Sequence, residues 1–279
     1  MISLTTLVVE TEEEVQGYLY HIRHLSVIKL KNLLKEKLQR GENAVGTFIE
    51  LGHPDIAEIL SHSGFDWLLI DGEHSPMGFE TMERMLQAMV GTNCTPIIRP
   101  QWNDPVIIKR ILDLGAHGIV VPWVNTKEEA EAAVRAARYP PEGIRGWGPR
   151  RAARWDPDYR NTANEEILVA IQVETQKSID NLDKIMGVDG IDACYVGPWD
   201  LSNNLGYSVP PNYENKKFTD ALEHVVKVAA DHGKPAGMWT NLDNVGWAVK
   251  KGFRFNTVIN ADMMLAYGAT EAVKRGRGL

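Results

Sequence analysis

No apolar stretch in this sequence approaches the roughly 18 residues that suggest a membrane-spanning helix, so a soluble protein is expected. Cysteine is nearly absent. Cys94 and Cys194 are the only two in 279 residues, too few for a disulfide framework or a cysteine-built zinc site, and each lies in or beside an apolar run, where it reads as a small buried hydrophobe. Long basic runs are missing too. With a formal net charge of -7, this argues against nucleic acid or an anionic membrane as the main partner and favours small molecules and a metal cation. The N-terminus opens Met1-Ile2-Ser3-Leu4 and turns acidic at Glu10 to Glu14; it lacks the positive start and apolar middle of a secretory signal, and a cytoplasmic location is expected.

Several catalytic signatures are also missing. The chain has no nucleophile elbow and no Walker loop. No glycine-rich phosphate turn follows the first strand, where the chain reads Glu50-Leu51-Gly52-His53-Pro54. None of the expected strands ends in lysine, the residue a Schiff-base aldolase needs. Metal-assisted proton and carbon chemistry remains.

What the sequence does contain is alternation. Short β-branched apolar runs predict strands at Val45–Ile49, Trp67–Asp71, Thr95–Arg99, Gly118–Val121, Leu168–Glu174, Ala193–Gly197, Pro235–Thr240 and Asn256–Ile259. Between them, amphipathic periodicity predicts helices over Pro54–His62, Phe79–Met89, Pro105–Leu114, Thr126–Arg138, Ser178–Ile185, Asn215–His232, Asn241–Lys251 and Ala261–Arg275. Thr126 and Asn241 are suited to start helices, and Gly64, Gly91, Gly115, Gly187, Gly233 and Gly252 to end them. Eight such units predict a (β/α)8 TIM barrel, with a doubly wound sheet as the competing α/β architecture. Residues 30–279 form the single barrel domain in this reading, led into by a helix over Leu30–Gly41, and residues 1–29 are an N-terminal extension. The stretch Tyr139–Arg160 is rich in proline, glycine and arginine, and is expected to be a long loop bordering the site or another subunit.

Charged residues stand at or just beyond the ends of several apolar runs: Asp71, Glu73 and His74, then Arg99, Glu174 and Asp200. A charge at the end of a buried strand is costly in a plain core, so strand ends this far apart in sequence suggest one shared site at the barrel mouth. Glu174 and Asp200 have no cation beside them in sequence and suit a hard ion such as Mg²⁺, Mn²⁺ or Co²⁺, a salt bridge to arginine being the alternative. His74 on a loop at that face is a natural proton shuttle, because an imidazole titrates near neutrality, and Asp113 is placed to orient it; a histidine that merely caps or packs is the plainer role. Arg99 is expected to steady an oxyanion or enolate, a role compatible with neutralising Asp71 or Glu73.

These segments resemble the class II, metal-dependent pyruvate aldolases of the HpcH/HpaI family, which includes hydroxy-oxo-heptanedioate and dehydro-deoxyglucarate aldolases. The resemblance is carried by Phe65-Asp66-Trp67-Leu68-Leu69-Ile70-Asp71-Gly72-Glu73-His74, Ile98-Arg99-Pro100, Leu112-Asp113-Leu114-Gly115-Ala116, Arg138-Tyr139-Pro140-Pro141, Gln172-Val173-Glu174, the run Gly187 to Asp192, and Gly197-Pro198-Trp199-Asp200-Leu201-Ser202. It spans about residues 30 to 265. It implies a phosphoenolpyruvate/pyruvate-type barrel, assembled as a homohexamer (a trimer of dimers) in which a C-terminal helix packs on a neighbouring subunit. It also implies Glu174 and Asp200 as metal ligands, His74 as general base paired with Asp113, Arg99 as enolate stabiliser, and Gln172 with the amides of Trp199 and Asp200 as holders of pyruvate. The implied reaction is reversible cleavage of a 4-hydroxy-2-oxo acid to pyruvate and an aldehyde through an enolate held by a divalent cation. A lyase acting on a coenzyme A thioester or a citrate-like acid is the alternative within the superfamily, and a non-catalytic barrel subunit the alternative outside it. Trp199 stands where members of this family often carry alanine, and Trp123 and Trp147 near positions where they carry smaller side chains. The acceptor pocket is therefore expected to differ from that of the diacid enzymes.

Overall fold

The segment Trp67–Asp71, β2, is buried at every residue, as a parallel strand covered on both faces requires. In the computed structural model, which describes residues 29–278, it is one of eight strands that close a barrel. The others are β1 (Ala44–Ile49), β3 (Thr95–Arg99), β4 (Gly118–Val121), β5 (Leu168–Val173), β6 (Ala193–Val196), β7 (Ala236–Thr240) and β8 (Phe255–Val258), each within one or two residues of its predicted bounds. Every neighbouring pair is parallel, and β8 returns to β1 through Ala44–Phe255 and Gly46–Thr257. This is a (β/α)8 TIM barrel. The expected N-terminal extension, apart from Lys29, lies outside the described residues.

Helices α1 (Leu33–Gln39), α2 (Pro54–Ser61), α3 (Phe79–Ala88), α4 (Pro105–Asp113), α5 (Lys127–Ala137), α6 (Tyr159–Glu166), α7 (Gln176–Asp180), α8 (Leu182–Met186), α9 (Pro198–Asn204), α10 (Lys216–Asp231), α11 (Val245–Lys251) and α12 (Ala261–Gly276) accompany the strands. Thr126 does cap α5, in a reciprocal capping box with Glu129. Asn241 does not cap α11; its side chain accepts from the amides of Asp243 and Asn244 and closes a turn before the helix, whose N-cap is Asn244. The helix predicted over Ser178–Ile185 is broken at Asn181 into α7 and α8. Gly187 ends α8 in ordinary right-handed geometry, and the left-handed residue is Gly190, with φ of 89°. Two helices lacked a clear sequence signal: α6, whose start falls within the predicted loop, and the short α9.

Because side chains alternate along a strand, one parity of each strand faces the barrel axis. The inward set Phe48, Trp67, Leu69, Ile97, Val120, Leu168, Ala170, Tyr195 and Phe255 forms one apolar cluster, joined by Leu34 and Leu38 of α1. Helix α1 thus contributes to the interior core; it is fastened by the buried Asn32, which caps it and donates to the carbonyls of His117 and Glu166. The outward set, including Leu68, Ile70, Ile98, Val169 and Ile171, packs under the helices as a second core. Following the inward parity toward the C-terminal ends of the strands leads from Phe48 to Glu50, from Leu69 to Asp71 and Glu73, from Ile97 to Arg99, and from Ala170 to Gln172 and Glu174. The same alternation that builds the core brings the charges to one mouth.

The interior is packed around the indole of Trp67, which lies 4.6 Å from the Phe255 ring and 6.4 Å from that of Tyr195. Gly46 makes room for it. A Cβ at Gly46 would fall 2.1 Å from that indole and 2.5 Å from the Trp67 carbonyl oxygen. Gly46→Ala is expected to cost about 3 kcal/mol, the upper range for overpacking a core. Urea denaturation measures this, and an unshifted midpoint would contradict the packing described.

Candidate active site

The register of β2 and β3 sets Asp71 and Arg99 side by side as Cα partners. Arg99 grips the fully buried Asp71 through two hydrogen bonds, Nε to Oδ1 at 2.9 Å and Nη2 to Oδ2 at 2.8 Å. Its remaining nitrogen, Nη1, lies 3.0 Å from Oε2 of Glu73, without hydrogen-bond alignment, and 3.5 Å from Oε1 of Gln172. The guanidinium sits 5.1 Å from the centre of the Phe48 ring. Asp71 Oδ1 also accepts from the Glu73 amide at 3.0 Å, so one carboxylate shapes the Asp71-Gly72-Glu73-His74 turn and holds the arginine. Gly72 is needed there by proximity, since a Cβ would lie 2.7 Å from the Arg99 carbonyl.

At the end of β5, Glu174 is 2% exposed, and Oε1 accepts from the Trp123 amide at 2.7 Å. Oε2 accepts from Gln172 Nε2 at 2.5 Å. The Trp123 backbone is in the left-handed region, with φ of 56°, a true outlier for a bulky side chain, and this conformation accompanies the amide's contact with the carboxylate. Gly197 closes the other side: a Cβ there would lie 2.9 Å from Gln172 Nε2 and 3.2 Å from Glu174 Oε2. Asp200 follows in the first turn of α9, whose leading N–H groups have no acceptor within the helix.

These residues surround a cavity of about 370 Å³ at the C-terminal mouth of the barrel. His74, Arg99, Gln172, Trp199 and Asp200 line it, and Glu174 lies behind Gln172 and Gly197. His74 is on the rim, its side chain 63% exposed and its Nε2 3.7 Å from Glu73. Asp113 is the exception. Its Oδ1 accepts from Nη2 of Arg145 at 2.7 Å, and it makes neither hydrogen bond nor ion pair with His74 among the described residues. The predicted His74–Asp113 pairing is therefore not made within one chain. The physical reason is position: Asp113 ends α4 in the outer helical layer, whereas His74 follows β2 at the mouth.

Arg150 and Arg151, candidates for gripping a distal carboxylate, are engaged elsewhere. Arg150 binds Glu83 through Nη2 at 2.8 Å to both oxygens, and Arg151 donates to the carbonyls of Leu114 and Leu86. Sequence reasoning missed Arg145, whose buried side chain sits 4.5 Å from the Tyr139 ring and donates to the Tyr159 hydroxyl. It also missed Phe48 and Glu50, which inward parity along β1 would have revealed. Trp239, Asn260 and Met263 joined the site without any local signal.

Among the described residues, no group of three or more His, Cys, Asp or Glu forms a ready-made metal cage. The carboxylates nevertheless fit a cation. Burial, and then the negative charges of Glu73 and Asp200, push Glu174 up to about 7 against the opposing Trp123 amide and Arg99. Glu73 is likewise raised to about 7, by burial and by Asp71 and Asp200 against Arg99. Glu174 forms no ion pair among the described residues, which removes the salt-bridge alternative for it. An all-oxygen pair short of positive charge matches a hard divalent ion that completes its shell with water and substrate oxygens.

The model of the HpcH/HpaI aldolase/citrate lyase family matches residues 44–265. The chain belongs to this family. Among curated relatives, the 4-hydroxy-2-oxo-heptane-1,7-dioate aldolase of Salmonella dublin is 42% identical over 213 residues, 75% of this chain and 80% of the relative. Among solved structures, an HpcH/HpaI aldolase/citrate lyase family protein from Burkholderia cenocepacia J2315 superposes with a TM-score of 0.84 at 30% identity, covering 88% of this chain and all of that one. The HpcH/HpaI aldolase from Desulfitobacterium hafniense DCB-2 gives 0.82 at 30% identity, covering 89% and 98%. Membership makes the chain an enzyme, and its mouth-end cavity the place to look for chemistry. No described helix is long and apolar enough to cross a membrane.

The raised carboxylates carry a sign that can be tested. A Glu whose folded pKa lies above its unfolded value of about 4.5 is stabilising relative to neutral pH only while protonated, so stability is lost as pH rises from about 4.5 through about 7. The thermal midpoint of metal-free protein is expected to fall over that window, less steeply in Glu174→Gln, and a divalent cation should restore it at pH 7.5. Equal slopes in the two proteins would show that Glu174 is not a strained carboxylate.

Proposed function

We propose that this family member is a metal-dependent aldolase that cleaves 4-hydroxy-2-oxo acids to pyruvate and an aldehyde, and runs in reverse as an aldol addition. The observation that carries the reading is the joint placement of buried Arg99, Glu174 and Gln172 beneath a rim bearing His74 and Asp200. Glu174 and Asp200 would hold the ion, and a bound Mg²⁺, Mn²⁺ or Co²⁺ would supply Lewis acidity toward the 2-oxo group.

The protein's own groups divide the remaining work. The free amides of Trp199 and Asp200, at the start of α9, receive the carboxylate of the 2-oxo acid, with Gln172 beside them. His74 takes the proton of the 4-hydroxyl, the bond between carbons 3 and 4 breaks, and the electron pair moves onto the 2-oxo oxygen. Arg99 is locked by Asp71 through Nε and Nη2, which leaves Nη1 to stabilise that oxygen without reorganisation. Protonation at carbon 3 completes pyruvate. Against a coenzyme A thioester, the cavity lining contains, among the described residues, one arginine and no lysine for the nucleotide phosphates.

The His74–Asp113 pairing belongs, in this proposal, between copies. Helix α12 buries only Ala261 and leaves Leu265, Tyr267 and Val273 exposed, apolar side chains suited to contact with a neighbouring subunit in a homohexamer. Arg145 would then hold Asp113 ready for the neighbour's His74. Co-assembled His74→Ala and Asp113→Ala chains are expected to regain activity that neither has alone; no complementation would place the pair elsewhere.

Pyruvate in deuterated water tests the chemistry directly. Methyl-proton loss should require a divalent metal and fall about 100-fold or more in Arg99→Ala, on the scale of losing an oxyanion donor. His74→Ala should slow cleavage about 10²–10⁴-fold while retaining metal, whereas Glu174→Gln and Asp200→Asn should weaken metal binding itself. Absence of exchange with any of the three ions would reject the aldolase reading.

A further inference from the structure

The aldehyde end of the cavity has a character of its own, and the inference from it rests on the pyruvate-aldolase reading above. Trp199 and Trp239 stand edge to face, with ring centres 6.3 Å apart and planes at 83°. Trp239 is fixed by its Nε1, which donates to Asn260 Oδ1 at 2.6 Å, and Asn260 Nδ2 in turn donates to Glu50 Oε1 at 2.8 Å. Met263, 42% exposed, continues the same wall. The result is an apolar surface in which the Trp239 ring is oriented by a hydrogen-bonded chain.

Charge at this cavity runs one way. Among the described residues Arg99 is the one arginine or lysine lining it; Asp71 holds its Nε and Nη2, and Nη1 is assigned above to the 2-oxo oxygen. The carboxylates of Glu50 and Asp200 line the same cavity, and Glu174 lies just behind it. The arginines of the long loop do not compensate: Arg150 is on Glu83, Arg151 on two backbone carbonyls, and Arg145 on Asp113. A carboxylate at the far end of the aldehyde would meet aromatic edges and the Glu50 carboxylate, and would lose its hydration without gaining a cation.

We propose that the aldehyde partner is neutral and carries an aryl or alkyl group seated against Trp199, Trp239 and Met263. The aromatic pair offers ring edges to a third ring, and methionine adapts to the remaining shape.

The test is kcat/KM for metal-loaded enzyme adding pyruvate to benzaldehyde, pentanal and 4-oxobutanoate, alongside pyruvate deuterium exchange. The neutral aldehydes should be favoured by at least about tenfold, the scale on which a pocket contact discriminates. Trp239→Ala should narrow that ratio, and Met263→Arg, which places a cation on the wall, should shift it toward 4-oxobutanoate. Equal use or preference for 4-oxobutanoate, with exchange intact, overturns this inference and leaves the aldolase reading standing. Loss of that preference in Arg150→Ala or Arg151→Ala would identify the loop of a neighbouring copy as the source of the missing cation, and would equally overturn it. Absence of exchange with every metal removes both readings together.

Discussion

The bidentate pair between Asp71 and Arg99 fixes the geometry on which the mouth of this barrel depends. Two charges this deeply buried are tolerated only because their hydrogen bonds are well formed, and removal of either partner would strand the other in an apolar layer. The pair is possible because β2 and β3 run parallel in a register that aligns their last residues. From Asp71 the turn to His74 is set through the Glu73 amide, and from Arg99 the remaining nitrogen reaches toward Glu73 and Gln172. One interaction therefore ties a proton-transfer candidate, an anion stabiliser and the approach to Glu174 into a single rigid unit.

That unit is over-supplied with negative charge. The two oxygens of Glu174 are occupied by uncharged donors from Trp123 and Gln172, and burial, then the negative charges of Glu73 and Asp200, push its proton affinity up. Local sterics accompany this arrangement, in the left-handed backbone of Trp123 and in the side-chain-free approach of Gly197. Strain and charge repulsion of this kind fit the cation proposed for the site, and the same excess of carboxylates is the ground for proposing a neutral second substrate.

The barrel was legible in the sequence because its determinants are local: short apolar runs buried along nearly their whole length, helices between strands, and charge placed at strand ends. Strand parity places Arg99, Gln172 and Glu174 on the inward face. Elements without a hydrophobic period were less legible. Helix α9 is only about two turns long after Gly197, and α6 begins inside a stretch whose proline, glycine and arginine content reads as loop. Trp239 and Asn260, which line one wall of the cavity, are 21 residues apart and meet through the pairing of β7 with β8. No spacing rule links them.

Asp113 shows a different limit. Its carboxylate is held by a guanidinium that is completely buried between two tyrosine rings, yet Nε and Nη1 of that Arg145 have no hydrogen-bond partner, and the Tyr139 hydroxyl has none either. Burying so many donors to steady a single helix-end carboxylate is costly if Asp113 has only a structural task. The orienting role proposed above for Asp113 toward a histidine would give that cost a function, because a positioned general base depends on the group that holds it. Within its own chain His74 follows β2 at the mouth, whereas Asp113 ends α4 in the outer helical layer and is held by Arg145. The proposed pairing between copies would account for the arrangement: each barrel would complete a neighbour's rim while retaining its own buried floor.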